Sequence, residues 1–144
     1  MKATADTSFL VSLYGGDVNT PPARAWMAAN GTPLWVPGAL RFETENALRL
    51  AQFRGKLTPS ELQQALAEIE ADFATGILLA CEIPAELHWA ECRRLSAAFT
   101  LHLGCRAYDI THVAGALVLA ADIFLSFDQQ QRSLARAAGL PVGP

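Results

Sequence analysis

Short apolar runs alternate along this chain with longer stretches in which apolar residues recur every third or fourth position. The runs have strand length and the stretches have helical period. Strands are predicted at 2–5, 33–37, 77–83 and 123–127, with a last extended piece at 140–142. The helices between them carry their own punctuation. Gly15-Gly16 closes a short helix that begins after Asp6-Thr7-Ser8, Thr20-Pro21-Pro22 opens a second that Gly31 stops, and a third covers 39–54. Thr58-Pro59-Ser60-Glu61 reads as a capping box ahead of a polar helix reaching Phe73, Pro84 opens the next, and Gly139 ends the last. The strand runs do not alternate in polarity, as expected of a parallel sheet covered by helices on both faces. The run at 77–83 in particular predicts a strand buried on both sides. The expected fold is α/β, a short, mostly parallel central sheet between helical layers.

Residues 108–131, Y-D-I-T-H-V-A-G-A-L-V-L-A-A-D-I-F-L-S-F-D-Q-Q-Q, concentrate this pattern. Their helix is apolar almost all the way round, which predicts cover on more than one side, and Gly115 marks a close approach. Asp109 stands where that helix begins. Asp128 stands where a strand ends and the last helix starts, and Asp6 follows the first strand in the same way. All three fit N-caps, since Asp accepts hydrogen bonds from the free N–H groups of a first helical turn, and Asp128 with Gln131 resembles a capping box. They also fit ligand positions, because open α/β sheets bind at the carboxyl ends of their strands and parallel strands bring those ends to one edge.

Glu43 adds a fourth acid. Helical phase puts it on a stripe with Leu40, Ala47 and Leu50, with no Lys or Arg three or four residues away, and a carboxylate on an apolar stripe is costly unless something compensates it. Glu45, between Arg41 and Arg49 at four-residue offsets, reads as a solvated surface ion pair. The plainer alternative for Glu43 is an edge position from which the side chain reaches solvent. A metal ion or other cation is the sharper reading. Asp6, Glu43, Asp109 and Asp128 could thus converge on one crevice, and hard oxygen ligands of this kind suit Mg²⁺ or Mn²⁺ rather than zinc. An acidic metal site with no nucleophile and base pair points to phosphoryl chemistry.

Composition narrows the choice. At 144 residues, 51% of them apolar, the chain can bury a sizeable core and reads as a single domain over 1–144. The longest apolar stretch stops at Asp122, short of the roughly 20 residues that cross a bilayer, and no basic-then-apolar leader is present, so a soluble cytoplasmic protein is expected. Cys81, Cys92 and Cys105 form no C-x-x-C pair and leave one over, which argues for core thiols rather than disulfides or zinc. The net charge of −3 shows no basic stripe for nucleic acid, although divalent ions on four carboxylates would move it toward zero.

D-T-S near the amino terminus, E-T-E-N-A-L in the third helix, Y-D-I-T-H-V-A and F-L-S-F-D-Q-Q together resemble the motifs of PIN-domain ribonucleases, in particular the VapC-type toxins of bacterial toxin–antitoxin pairs. The resemblance spans nearly the whole chain. It implies a three-layer α/β/α PIN-like domain in which Asp6, Glu43, Asp109 and Asp128 hold Mg²⁺ or Mn²⁺ and carry catalysis, with Ser8, Asn46 and Ser126 as supporting polar positions. It further implies metal-dependent cleavage of single-stranded or loop RNA, a cognate antitoxin partner, and a homodimer. His112, three residues after Asp109, reads as a support beside the cluster rather than a proton-transfer group, since metal-bound water needs no histidine base. Arg106 and Arg132 are candidate phosphate contacts, with Arg41 and Arg54 behind them. Two other classes stay open: a PIN-like module that only binds RNA or protein, its acids serving as caps, and a receiver-like or phosphatase phosphotransfer domain. The second Asp of a D-x-D is Ser8 here, which disfavours the last.

Overall fold

The computed structural model describes every residue, Met1–Pro144. Five strands, β1 (Ala3–Ala5), β2 (Leu34–Pro37), β3 (Leu78–Cys81), β4 (Ile123–Leu125) and β5 (Val142–Gly143), make one sheet in the order β3-β2-β1-β4-β5. Each neighbouring pair is parallel. The sheet expected to be mostly parallel is parallel throughout. The helices are α1 (Thr7–Gly15), α2 (Thr20–Asn30), α3 (Gly38–Phe53), α4 (Pro59–Thr75), α5 (Ala85–Leu103), α6 (Ala107–Val118) and α7 (Gln129–Ala137).

Two apolar cores lie on opposite faces of this sheet. Phe9, Leu10 and Leu13 of α1, Leu40 and Leu48 of α3 and Ile69 of α4 pack with Ala3, Ala5, Leu34, Val36 and Leu125. Leu95 of α5, Ile110 and Val113 of α6 and Leu134 of α7 pack with Phe124. Phe124 and Leu125 are consecutive yet enter different cores, because side chains alternate across a strand. That explains the unbroken apolar runs: in a sheet covered on both sides, both phases of the alternation are buried.

Local signals set most boundaries. Thr58 Oγ1 accepts from the Glu61 N–H (3.1 Å) and the Glu61 carboxylate accepts from the Thr58 N–H (2.7 Å), the reciprocal pair that the sequence motif predicts. Gly76 ends α4 at φ 79°, a left-handed conformation that a side chain would strain. No residue of α6 from Asp109 onward is exposed, and a Cβ on Gly115 would stand 2.8 Å from Ile83 Cδ1, so the expected close approach is real.

Two expectations change. β3 is not buried on both faces: it is an edge strand, with Leu78 buried and Ala80 exposed, because only β2 pairs with it. In α3 the buried residues are Leu40, Thr44 and Leu48, and Leu50 is 38% exposed. The core stripe is therefore turned by about one residue from the predicted one, which leaves Glu43 on its flank.

Candidate functional site

β1 and β4 run in register, Ala3 beside Ile123 and Ala5 beside Leu125, so the next residue of each chain, Asp6 and Ser126, emerges at the same point of the carboxyl edge. The Asp6 N–H still bonds the Leu125 carbonyl at 3.0 Å. Asp6 is extended (φ −98°, ψ 178°) and serves as the N-cap of α1, its Oδ1 accepting from the Phe9 N–H at 3.0 Å. The capping role is thus filled. It does not exhaust the side chain.

Two serine hydroxyls complete the shell of Asp6. Ser8 Oγ donates to Oδ1 (2.6 Å) and accepts from the Phe127 N–H (2.9 Å), while Ser126 Oγ donates to Oδ2 (2.5 Å) and accepts from the Asp128 N–H (3.0 Å). Each hydroxyl therefore ties one carboxylate oxygen to the turn that follows β4. Asp6 and Ser126 are fully buried. No Lys, Arg or His forms an ion pair with Asp6, and burial raises its carboxyl above the ordinary range against the lowering pull of its hydrogen bonds.

Glu43, from α3, meets α6. His112 Nε2 lies 2.6 Å from Glu43 Oε2 and 3.5 Å from Thr7 Oγ1. The expectation that Glu43 lacks a basic partner is thereby corrected, since tertiary packing supplies from α6 what α3 does not contain. The His112 hydrogen bond, with Thr7 adding to it, holds the Glu43 carboxyl below its ordinary range. Asp6 and Glu43 are consequently pushed in opposite directions at one edge of the sheet, a divergence common where carboxylates are set different tasks. Glu45 is ion-paired with Arg41 (2.8 Å) and Arg49 (3.6 Å) as expected, but its side chain is 22% exposed against 32% for Glu43. Direction separates the two glutamates, not depth.

Asp109 is buried but is not the N-cap of α6. Arg106 holds that place, and Asp109, third in the helix, reaches back to the Arg106 backbone N–H (3.4 Å) and Nε (3.3 Å). Asp128 does cap α7, accepting from the Gln131 N–H at 2.9 Å, while the Gln131 Oε1 has no partner, so only half of the predicted capping box forms. Asp109 and His112, three apart on α6, share a helix face. As the side chains stand, no three acidic, histidine or cysteine groups come close enough together to enclose an ion.

Residues 3–137 match the PIN domain family. This chain is a PIN domain. Several solved structures share its fold, among them two of similar length. VapC20 of Mycobacterium tuberculosis, described as a sarcin–ricin loop cleaving toxin, is 18% identical with a TM-score of 0.69 over 96% of each chain. PAE2754 of Pyrobaculum aerophilum is 16% identical with a TM-score of 0.61, over 99% of this chain and 90% of that one. At those identities the likeness is one of fold. No curated protein sequence matches the chain.

Within this PIN domain the supporting positions divide. Ser8 and Ser126 hold Asp6, whereas Asn46 is exposed and makes no side-chain hydrogen bond. Thr7 and the Glu43–His112 pair are what sequence reasoning missed, since no spacing announces a contact between residues 69 positions apart. The Arg106 side chain is 78% exposed with Nε on Asp109. Arg132 turns Nη1 onto the carbonyls of Ser126 (2.5 Å) and Pro144 (2.6 Å), which fastens the carboxyl terminus to the site turn. Arg41 is committed to Glu45 and Glu70 and lies over the Phe73 ring. The cysteines are free thiols, Cys105 buried and the other two half-buried. A cavity of about 530 Å³ opens at the opposite edge beside Pro33 and Ile77, where β2 and β3 begin. Its one acid, Asp72, accepts the Tyr14 hydroxyl at 2.5 Å.

Proposed function

We propose that this PIN domain is a divalent-metal-dependent endoribonuclease and the toxin of a toxin–antitoxin pair, acting in the cytoplasm as a homodimer held in check by a cognate antitoxin. The observation that carries the reading is Asp6: a fully buried carboxylate with no cationic partner, fixed in orientation by two hydroxyls and one N–H at the carboxyl edge of a parallel sheet. A buried charge left unneutralised is costly, and a hard cation is its natural complement. Asp6, Glu43, Asp109 and Asp128 would hold Mg²⁺ or Mn²⁺, which when bound supplies positive charge to a phosphodiester and lowers the pKa of water.

The protein's own groups prepare that site. Ser8 and Ser126 keep both Asp6 oxygens aimed, His112 and Thr7 aim Glu43, and the exposed guanidinium of Arg106 is free at its Nη atoms to meet a phosphate of the RNA. The PIN family membership and the toxin named among its structural likenesses support the same reading. A competing one, a fold that binds without cutting, draws on the fact that every proposed ligand already has a protein donor.

Mn²⁺ titration followed by thermal unfolding separates them. A site that binds gains roughly 2.7 kcal/mol of stability at a hundredfold excess over the dissociation constant. Cleavage of an RNA pool should appear with Mg²⁺ or Mn²⁺ and vanish with chelator, and expression without antitoxin should arrest growth, with Asp6→Ala relieving it. No metal-dependent cleavage by the folded protein would overturn the proposal.

A further inference from the structure

Trp89 and Tyr108 are 53% and 62% exposed, although large aromatic side chains are usually well covered, and neither the indole N–H nor the phenol O–H has a hydrogen-bond partner in the protein. Both are held in place from below. The His88 ring stacks on the Trp89 ring at 5.2 Å, and its Nε2–H donates to the Thr111 carbonyl at 2.8 Å, which anchors that part of α5 to α6. Tyr108 leans on His112 with ring centroids 6.5 Å apart, and His112 is the partner of Glu43. Thr111 is the shared wall between a pocket of about 40 Å³ beside Tyr108 and His112 and a groove of about 320 Å³ beside Trp89 and Arg93. Thr111 thus borders both hollows, and His112, which lines the one beside Tyr108, links it to Glu43. No acid lines either hollow, Arg93 is exposed and makes no ion pair, and Arg106, two residues before Tyr108 in the chain, has a side chain 78% exposed.

We propose that Trp89 and Tyr108 form a stacking platform for unpaired bases of single-stranded RNA, with Arg93 and Arg106 on its phosphates, leading the strand along α5 and α6 to the acids. The inference rests on the ribonuclease reading for its substrate and goes beyond it in saying where the strand lies. Every base offers a flat face to an aromatic ring, so such a platform grips RNA with little demand on sequence, and only an unpaired strand can present those faces. Polar Thr111 lines both hollows and cationic Arg93 lines the one beside Trp89, which suits a charged backbone with spaced bases better than an apolar protein surface. The local cations also reconcile an acidic chain with an anionic substrate.

The test uses the intact protein in chelator, with a short unstructured oligoribonucleotide carrying one aminopurine, a base whose fluorescence falls on stacking. Wild type should quench it. Trp89→Ala and Tyr108→Ala should each weaken binding roughly tenfold and relieve quenching. Trp89→Phe and Tyr108→Phe, which keep a ring without the polar handle, should restore both. Arg93→Gln should reduce the slope of log affinity against log salt by about 0.7, the effect of one phosphate contact on a single strand. Binding without quenching, alanine variants that bind as wild type does, or variants whose only change is loss of a dimer in sedimentation would each overturn the platform, the last by making this face a protein interface. Cleavage assayed in Mn²⁺ keeps the two readings apart: quenching without cleavage retains the platform and removes the nuclease, and cleavage without quenching does the reverse.

Discussion

Asp6 and Glu43 differ from Asp109 and Asp128 in what holds them. Glu43 is fastened by His112, 69 positions away, and Asp6, besides its local bonds to Ser8 and the Phe9 N–H, by Ser126 at 120 positions, whereas Asp109 and Asp128 bond only to groups three residues away in their own helix turns. A local bond forms as soon as the helix does. A long-range bond forms only when the sheet has closed and α6 has docked, so the geometry of Asp6 and Glu43 reports the completed fold. That is the half of the site whose orientation the protein enforces, and the half where small changes should cost most activity.

The sharpest way to break this comparison is to remove one charge of each kind from the same helix. Glu43→Gln should lower RNA cleavage more than about a hundredfold, beyond what loss of an outer partner costs, while Glu45→Gln, which loses only surface ion pairs, should leave it nearly intact. Equal losses measured on a cleavage gel would mean that direction along α3 is not what matters. A second variant tests whether the long-range bond itself is needed. His112→Ala leaves Glu43 present but unaimed and should cost about 10- to 100-fold in kcat/KM, less than Glu43→Gln. A loss as large as that of Glu43→Gln would give His112 a part in the chemistry instead.

The same contrast explains what the sequence could show. Asp128 and the Thr58 box were readable because cap, N–H and spacing lie within one turn. Parallel pairing alone put Asp6 and Asp128 at one carboxyl edge, but it is Ser126 that meets Asp6 there, because β4 ends at Leu125, two residues before the predicted end at Phe127. The partner of Glu43 was not readable, because nothing local to α3 or α6 encodes which faces dock. The same holds for the phase of α3: Thr44 is buried as part of its core stripe although it is polar, and apolar periodicity alone could not find it. Asp109 was misplaced by three residues relative to the cap for a simpler reason, that an Arg at the N-cap gives no sequence signal.

Stability should separate the pairs as well, with a smaller effect. Asp6→Ala removes an N-cap and leaves the buried Ser126 hydroxyl only its longer contact to the Asp128 carbonyl (3.3 Å), which should destabilise the protein by about 2 kcal/mol, part of it offset by relief of a desolvated charge. Asp109→Asn keeps an oxygen for the Arg106 N–H and loses an ion pair whose cation is mostly solvated, so the change should stay within about 0.5 kcal/mol. Urea denaturation in chelator measures both. A larger cost for Asp109→Asn than for Asp6→Ala would reverse the assignment of which half of the site the fold depends on.

The finest distinction is between the two long-range acids themselves, because their environments shift them oppositely. Burial raises the Asp6 carboxyl, so the folded protein binds a proton there more readily than the unfolded chain does. The resulting penalty is absent below the unfolded value of about 4 and complete above the folded one, and wild type should lose stability relative to Asp6→Asn as pH rises through that window. His112 lowers the Glu43 carboxyl, so its contribution has the other sign. It is present above the unfolded value of about 4 and lost as pH falls through the folded one, and wild type should lose its advantage over Glu43→Gln on acidification. Each difference from wild type cancels the titrations that the proteins share, so the two curves, taken from urea midpoints in chelator across the acid range, should slope in opposite directions. Parallel curves would mean that the hydroxyls of Ser8 and Ser126 outweigh the burial of Asp6, and that this carboxylate is at ease as an anion without any cation to meet it.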